Sequence, residues 1–162
     1  MTEVLFGQAY SLRLDPKLRA AAQPCAPLGT LYAAAVLRAA GYAVALFDAM
    51  LARSEGEWTA ALDRERPRFA ILYEDSFNYL TKMCLGRVRE AALRMIEQAR
   101  QRGCEVMVAG SDPTDHPDVY LRAGARAVVL GEGEATLPEL LDAAREGGGR
   151  PLREVAGLAL VS

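Results

Sequence analysis

Apolar residues recur along the chain in two alternating patterns. Short runs rich in β-branched and aromatic residues read as buried strands: Val4-Leu5-Phe6, Val44 to Phe47, Phe69 to Tyr73, Glu105 to Ala109 and Ala127 to Leu130. Between them lie longer stretches of helical period. The spacing predicts a helix from about Pro27 to Ala40, with Leu28, Leu31, Ala35 and Leu37 on its inner face and Gly41 as its stop. A weaker helix over Trp58 to Arg64 ends before Pro67, because the residue before proline is pushed out of the helical region. The longest helix, about Leu80 to Arg102, places Cys84, Val88, Ala91, Ala92, Met95, Ile96 and Ala99 at intervals of three and four. A short helix from Asp115 to Ala123 follows, then one opened by Thr136-Leu137-Pro138-Glu139 with capping-box spacing and stopped by Gly147-Gly148-Gly149. Val155 to Val161 is a last strand-like stretch.

Strands alternating with helices predict an α/β fold: a Rossmann-like, flavodoxin-like doubly wound sheet, mainly parallel and five-stranded, with helices on both faces and a short terminal strand. The expected division is a domain over residues 1–149, with 150–162 as a terminal strand or the start of a linker. Ligands of such sheets bind outside the carboxyl ends of the strands. Here those ends are the loops beginning at Gly7, Asp48, Tyr73, Gly110 and Gly131. The first of them, Gly7 to Pro27, is unusually long for a strand-to-helix loop, and long loops in compact domains tend to carry function.

Composition narrows the classes. With 162 residues the chain has room for one domain and not for an additional eight-fold barrel, which needs roughly 200 residues. The 19 basic and 21 acidic residues give a net charge of -2, without the positive field that neutralises phosphates, so no nucleic-acid partner is expected. Cys25, Cys84 and Cys104 are far apart, which disfavours a zinc site, a cluster held by this chain alone or a disulfide framework. No apolar run approaches the roughly 20 residues of a membrane span, and the N-terminus lacks the basic start of a signal peptide. A cytoplasmic protein with no membrane partner is the expectation.

The loop residues have both plain and chemical readings. Gly131-Glu132-Gly133 lacks the third glycine of a dinucleotide fingerprint and follows strand five instead of strand one. Its glycines serve either a close ligand approach or a turn with positive φ. Gly110 and Ser111 have the same two readings, and Ser111, Asp112 and Thr114 also suit turn and cap positions. His116, between Asp115 and Pro117, has no neighbouring partners for metal binding and reads as a helix-start residue. Glu74 and Asp75 point opposite ways on an extended segment and do not form an acid/base pair. Phe77-Asn78-Tyr79, two aromatics around an amide at a strand exit, suits a flat ligand or a capped core corner.

Several segments carry a family resemblance. Pro27-Leu28-Gly29-Thr30-Leu31-Tyr32 with Ala45-Leu46-Phe47-Asp48-Ala49, Val108-Ala109-Gly110-Ser111-Asp112-Pro113-Thr114 with His116-Pro117, Gly131-Glu132-Gly133-Glu134-Ala135-Thr136-Leu137-Pro138-Glu139 and Val155-Ala156-Gly157-Leu158-Ala159 resemble the cobalamin-binding domain at the N-terminus of radical S-adenosylmethionine enzymes. The resemblance implies a cobalamin whose corrin lies on the carboxyl edge of the sheet. Its cofactor-binding residues would be Gly7, Gln8, Ala9, Tyr10, Leu28, Gly29, Glu74, Asp75, Ser76, Phe77, Asn78, Tyr79, Gly110, Ser111, Asp112, Gly131, Glu132 and Gly133. Gly110, Ser111, Gly131, Glu132 and Gly133 would line the nucleotide tail, and Asp75 to Tyr79 would lie under the corrin. Two family motifs are missing. Gly7 to Pro27 holds no histidine of a DxHxxG motif, so cobalt would be held without it, with water, Asn78, Tyr79, His116 or nothing below. The CxxxCxxC motif of the catalytic iron-sulfur cluster is also absent, so no radical catalysis is expected of this chain alone. It would be either the front half of a radical methyltransferase or cyclase, partnered in cis or in trans, or a free-standing cobalamin carrier or sensor. The competing class is a cofactor-free interaction or receiver-like regulatory domain. A phospho-receiver lacks support, since no paired acids follow strand one and no lysine follows strand five.

Overall fold

The computed structural model describes residues 2–14, 20, 24–54, 56–74, 85–145 and 151–161. Its strands are β1 (Val4–Gly7), β2 (Val44–Phe47), β3 (Phe69–Glu74), β4 (Glu105–Gly110), β5 (Ala127–Val129) and β6 (Leu158–Leu160). Its helices are α1 (Leu28–Ala39), α2 (Gly56–Glu65), α3 (Leu85–Gln101), α4 (Ser111–Asp115), α5 (Pro117–Ala123) and α6 (Thr136–Ala144). The strands form one sheet in the order β2-β1-β3-β4-β5-β6. The first five are parallel, and β6 pairs antiparallel with β5, Val128 opposite Ala159. The sheet therefore has six strands, one more than the five expected: the terminal stretch contributes only Leu158–Leu160 but completes the edge.

The inner strands β1, β3, β4 and β5 are buried on both sides because helices cover both faces. One layer packs Trp58, Ala61 and Leu62 of α2, Val88, Ala92 and Ile96 of α3 and Tyr120 of α5 against Leu5, Ala70, Leu72, Val106 and Val108. The Trp58 indole N–H donates to the Met95 carbonyl at 3.1 Å, which satisfies its one polar atom inside that layer. The other layer packs Ala33, Ala34 and Leu37 of α1 and Leu137, Leu140 and Leu141 of α6 against Phe6, Phe69, Ile71, Met107 and Val129.

Three helical details differ from the sequence expectation. In α1 the buried residues are Thr30, Ala33, Ala34 and Leu37, whereas Leu28 is 62% and Leu31 40% exposed and Ala35 is exposed. Ala33 and Ala34 pack on the sheet beside Leu37, while Leu28 and Leu31 turn outward. The single helix expected over Asp115 to Ala123 is two, because the chain breaks at His116 (φ -134°, ψ 50°) before Pro117 starts α5. Finally, α6 begins after Ala135, itself in the helical region, with no side-chain cap, so Thr136 is its first residue and not its cap. The expected helix start at Leu80 to Cys84, and Gly147 to Gly149, lie outside the described residues. No helix among the described residues is long and apolar enough to cross a membrane.

Candidate functional site

In this strand order the chain leaves β1 toward β2 on one side and reaches β3 on the other, so the reversal of direction lies between β1 and β3. A crevice at their carboxyl ends is the expected ligand position. The residues leaving β1, Gly7, Gln8, Ala9 and Tyr10, are all buried. The Gln8 amide donates to the Asp48 carboxylate at 3.2 Å, and Asp48 also accepts the Met50 N–H at 2.9 Å, so the β1 and β2 exits are tied together. At the end of β3, Glu74 accepts the Ala9 N–H at 2.8 Å, which ties the β1 and β3 exits.

Glu74 is 4% exposed. Burial, opposed by the Ala9 N–H and reinforced by the nearby Asp112 charge, pushes its carboxyl up to about 8. It is therefore mostly a neutral acid at pH 7. Its Oε2 and the Gln8 Oε1 are buried and have no hydrogen-bond partner among the described residues. Such orphaned atoms cost roughly 1–3 kcal/mol each and in native proteins call for a ligand, a water or a mechanistic reason.

The exits of β4 and β5 form the adjoining rim. Gly110 has φ +124°, and a Cβ there would stand 2.3 Å from the Glu74 carbonyl oxygen. Only glycine lets β4 run this close to β3. Thr114 donates to the Gly110 carbonyl at 2.7 Å and accepts the Gly131 N–H at 3.0 Å, so one hydroxyl holds both rim loops. Gly131 has φ +75° and faces open space, whereas Gly133 is buried against the Tyr73 ring and Leu137. Ser111, Glu132 and Leu28 are exposed on the same edge and Gly29 is half-buried. Thr30 donates from the first turn of α1 to the Tyr73 carbonyl at 3.3 Å.

Asp112 is placed differently. Its carboxylate is held bidentately by Arg89 of α3, at 2.8 Å from Nε and 2.5 Å from Nη2, and accepts the Tyr120 hydroxyl at 2.5 Å. Burial raises its pKa, but Arg89 and Tyr120 outweigh that and hold it low. Burial, the hydrogen bond to Asp112 and the Glu74 and Asp112 charges push the Tyr120 hydroxyl upward, against Arg89. Asp112 thus anchors α4 instead of presenting its oxygens at the rim. His116 sits at the α4–α5 break with Nδ1 3.3 Å from the Asp112 carbonyl and 3.4 Å from Arg89 Nη2, in the surroundings of a helix-start residue. Asp75, Ser76, Phe77, Asn78 and Tyr79 lie outside the described residues. Among the described residues no group of three or more His, Cys, Asp or Glu is disposed to hold a metal ion.

Sequence reasoning missed Arg89, Tyr120 and Thr114 as organisers of the rim. Arg89 and Asp112 are 23 positions apart on different elements, and nothing local marks the pair.

The edge suits a polar cofactor: Gly131 leaves backbone exposed at the β5 exit, and the β1 and β3 exits hold two buried oxygens without a hydrogen-bond partner among the described residues. The B12-binding domain model matches residues 17–141. No curated protein sequence matches the chain. Among solved structures, the radical S-adenosylmethionine methyltransferase TsrM from Kitasatospora setae, in a form with tryptophan substrate and a cofactor analogue, superposes with a TM-score of 0.76 at 17% identity, covering 100% of this chain and 29% of that one. The cobalamin-dependent S-adenosylmethionine radical enzyme OxsB, with aqua-cobalamin and S-adenosylmethionine bound, gives 0.71 at 19% identity, covering 100% and 21%. A de novo designed Rossmann 2x3 protein gives 0.52 at 12% identity, with 93% and 94% covered. At these identities the likeness is one of fold, and the chain spans less than a third of the two enzymes. The family match carries the cofactor, cobalamin, and displaces the receiver-like alternative. Extending over well more than half the sequence, it makes this chain a member of the B12-binding domain family.

Proposed function

We propose that the domain carries its cobalamin with the corrin across the carboxyl ends of β1 and β3, against Gly7 to Tyr10, Glu74 and the segment Asp75 to Tyr79, and with the nucleotide tail along the Gly110-Ser111 and Gly131-Glu132-Gly133 rim. Leu28 and Gly29, at the start of α1, border the same edge. The observation that carries this reading is the pair of buried oxygens, Gln8 Oε1 and Glu74 Oε2, without a hydrogen-bond partner among the described residues, at the reversal point of a B12-binding fold. Thr114 and the Arg89–Asp112 pair then act as positioning groups that keep the rim loops in place before the ligand arrives. Cobalt is held without a histidine from this chain. Bound there, cobalamin supplies a cobalt centre for alkyl-transfer or radical chemistry, while this chain binds and orients it.

The partner in this reading is a radical S-adenosylmethionine catalytic unit, in cis or in trans, with a cytoplasmic location. Support comes from the full coverage of the chain by a part of TsrM and of OxsB. The free thiols Cys25 and Cys104 suit a reducing compartment. The test is retention: the purified protein is mixed with hydroxocobalamin, desalted, and its visible spectrum recorded. Corrin absorbance in the base-off form is expected to stay with the protein. Its complete loss on desalting would remove the proposal.

A further inference from the structure

Glu74 differs from Asp48 and Asp112, the acids whose contacts tie the neighbouring exits. Asp48 accepts two hydrogen bonds and Asp112 has a bidentate arginine, but Glu74 has one backbone N–H on Oε1 and, among the described residues, nothing on Oε2. The titratable and charged groups facing it come from three elements. Asp112 on α4 and Tyr120 on α5 are close enough for their charges to act on it, and Arg89 on α3 is committed bidentately to Asp112, with the His116 ring beside it. An ionised Glu74 would thus add a second buried negative charge next to Asp112 with no cation of its own. The proton goes on Oε2, because Oε1 already accepts from Ala9. That leaves a hydrogen-bond donor, shielded from solvent, at the end of the central strand on which the proposed cofactor site is built.

We propose that Glu74 binds the corrinoid as a neutral carboxylic acid, donating its Oε2 proton to a neutral oxygen acceptor of the cofactor, a peripheral carboxamide carbonyl. The inference rests on the cobalamin reading above. It makes cofactor affinity depend on pH: the neutral acid binds, and the carboxylate binds far more weakly, because it has no proton to donate and the cofactor would enclose it as a second buried charge beside Asp112. Since burial and Asp112 place the titration at about 8, affinity is whole near pH 6.5 and is lost as pH rises. At pH 9.5 only about one molecule in 30 retains the proton, so the dissociation constant rises roughly 30-fold.

The experiment titrates the intact chain with cyanocobalamin, whose upper ligand does not titrate in this range, at pH 6.5 and 9.5. Wild type is compared with Glu74→Gln, which keeps an oxygen for Ala9 and offers a permanent N–H donor. Far-UV circular dichroism and a melting curve of both proteins at both pH values establish that they are folded. The expected result is a roughly 30-fold loss between the two pH values for wild type and less than a threefold change between them for Glu74→Gln. Equal wild-type affinity at the two pH values, or the same alkaline loss in Glu74→Gln, overturns the role of Glu74 while leaving cobalamin binding standing. Absence of binding by folded wild type at both values overturns the cobalamin reading, and this inference with it.

Discussion

At the scale of single residues, the site is governed by two positions where β3 and β4 meet. Gly110 could not carry even a methyl group, since the nearest obstacle is the Glu74 backbone, which cannot rotate away as a side chain would. Gly110→Ala is expected to destabilise the domain by roughly 3 kcal/mol, from a strained positive φ together with the steric contact. Chemical unfolding checks this: a loss below about 1 kcal/mol would mean that the two strands separate easily. Glu74 has a separate signature in stability. Its folded-state pKa of about 8 lies above the ordinary 4.5, so folding favours the neutral form. The contribution is whole below about pH 4.5 and is lost as pH climbs through 8, by an amount approaching 5 kcal/mol if the full shift is realised. Unfolding free energies measured between pH 5 and 9 should fall for wild type, and the difference from Glu74→Gln should grow steadily with pH. A difference that stays constant would show that Glu74 titrates normally.

At the scale of elements, the rim depends on α4, a helix of five residues that could not persist alone. Its hold on the domain is Asp112, gripped by Arg89 from α3 and by Tyr120 from α5. Replacing Arg89 by Met leaves a carboxylate that is only 9% exposed without its cation, which is expected to cost roughly 3 kcal/mol. Adding Asp112→Asn should recover most of that loss, because the amide still accepts from Tyr120 without a charge. The recovery is read from urea midpoints of the single and double variants; equal midpoints would show that the ion pair does not hold α4. The sequence pattern located β1 to β5 to within about a residue, because both-sided burial leaves unbroken apolar runs. It failed where packing, and not periodicity, decides the outcome. For α1 the choice of Leu28 and Leu31 as the inner face followed hydrophobicity, but Ala33 and Ala34 pack on the sheet beside Leu37, while Leu28 and Leu31 turn outward. The antiparallel β6 was legible only as a strand-like stretch; its pairing direction depends on a chain reversal after α6 that no local signal specifies.

At the scale of the molecule, the parallel order with its reversal between β1 and β3 brings five strand exits to one edge. The positions of Gly7, Gly110 and Gly131 at that edge were legible from the sequence, since glycine after an apolar run marks a strand exit. The Arg89–Asp112–Tyr120–His116 cluster was not, since it joins three elements through side chains alone. What the whole fold provides is an edge where five strand exits meet, with buried polar groups at the β1 and β3 exits and no histidine in β1. The most direct measurement is the visible spectrum after loading with hydroxocobalamin and desalting, on wild type and on His116→Ala. Both are expected to retain close to one corrin per chain with the same base-off spectrum. A wild-type protein that emerges colourless would contradict the account, as would a spectrum that His116→Ala changes.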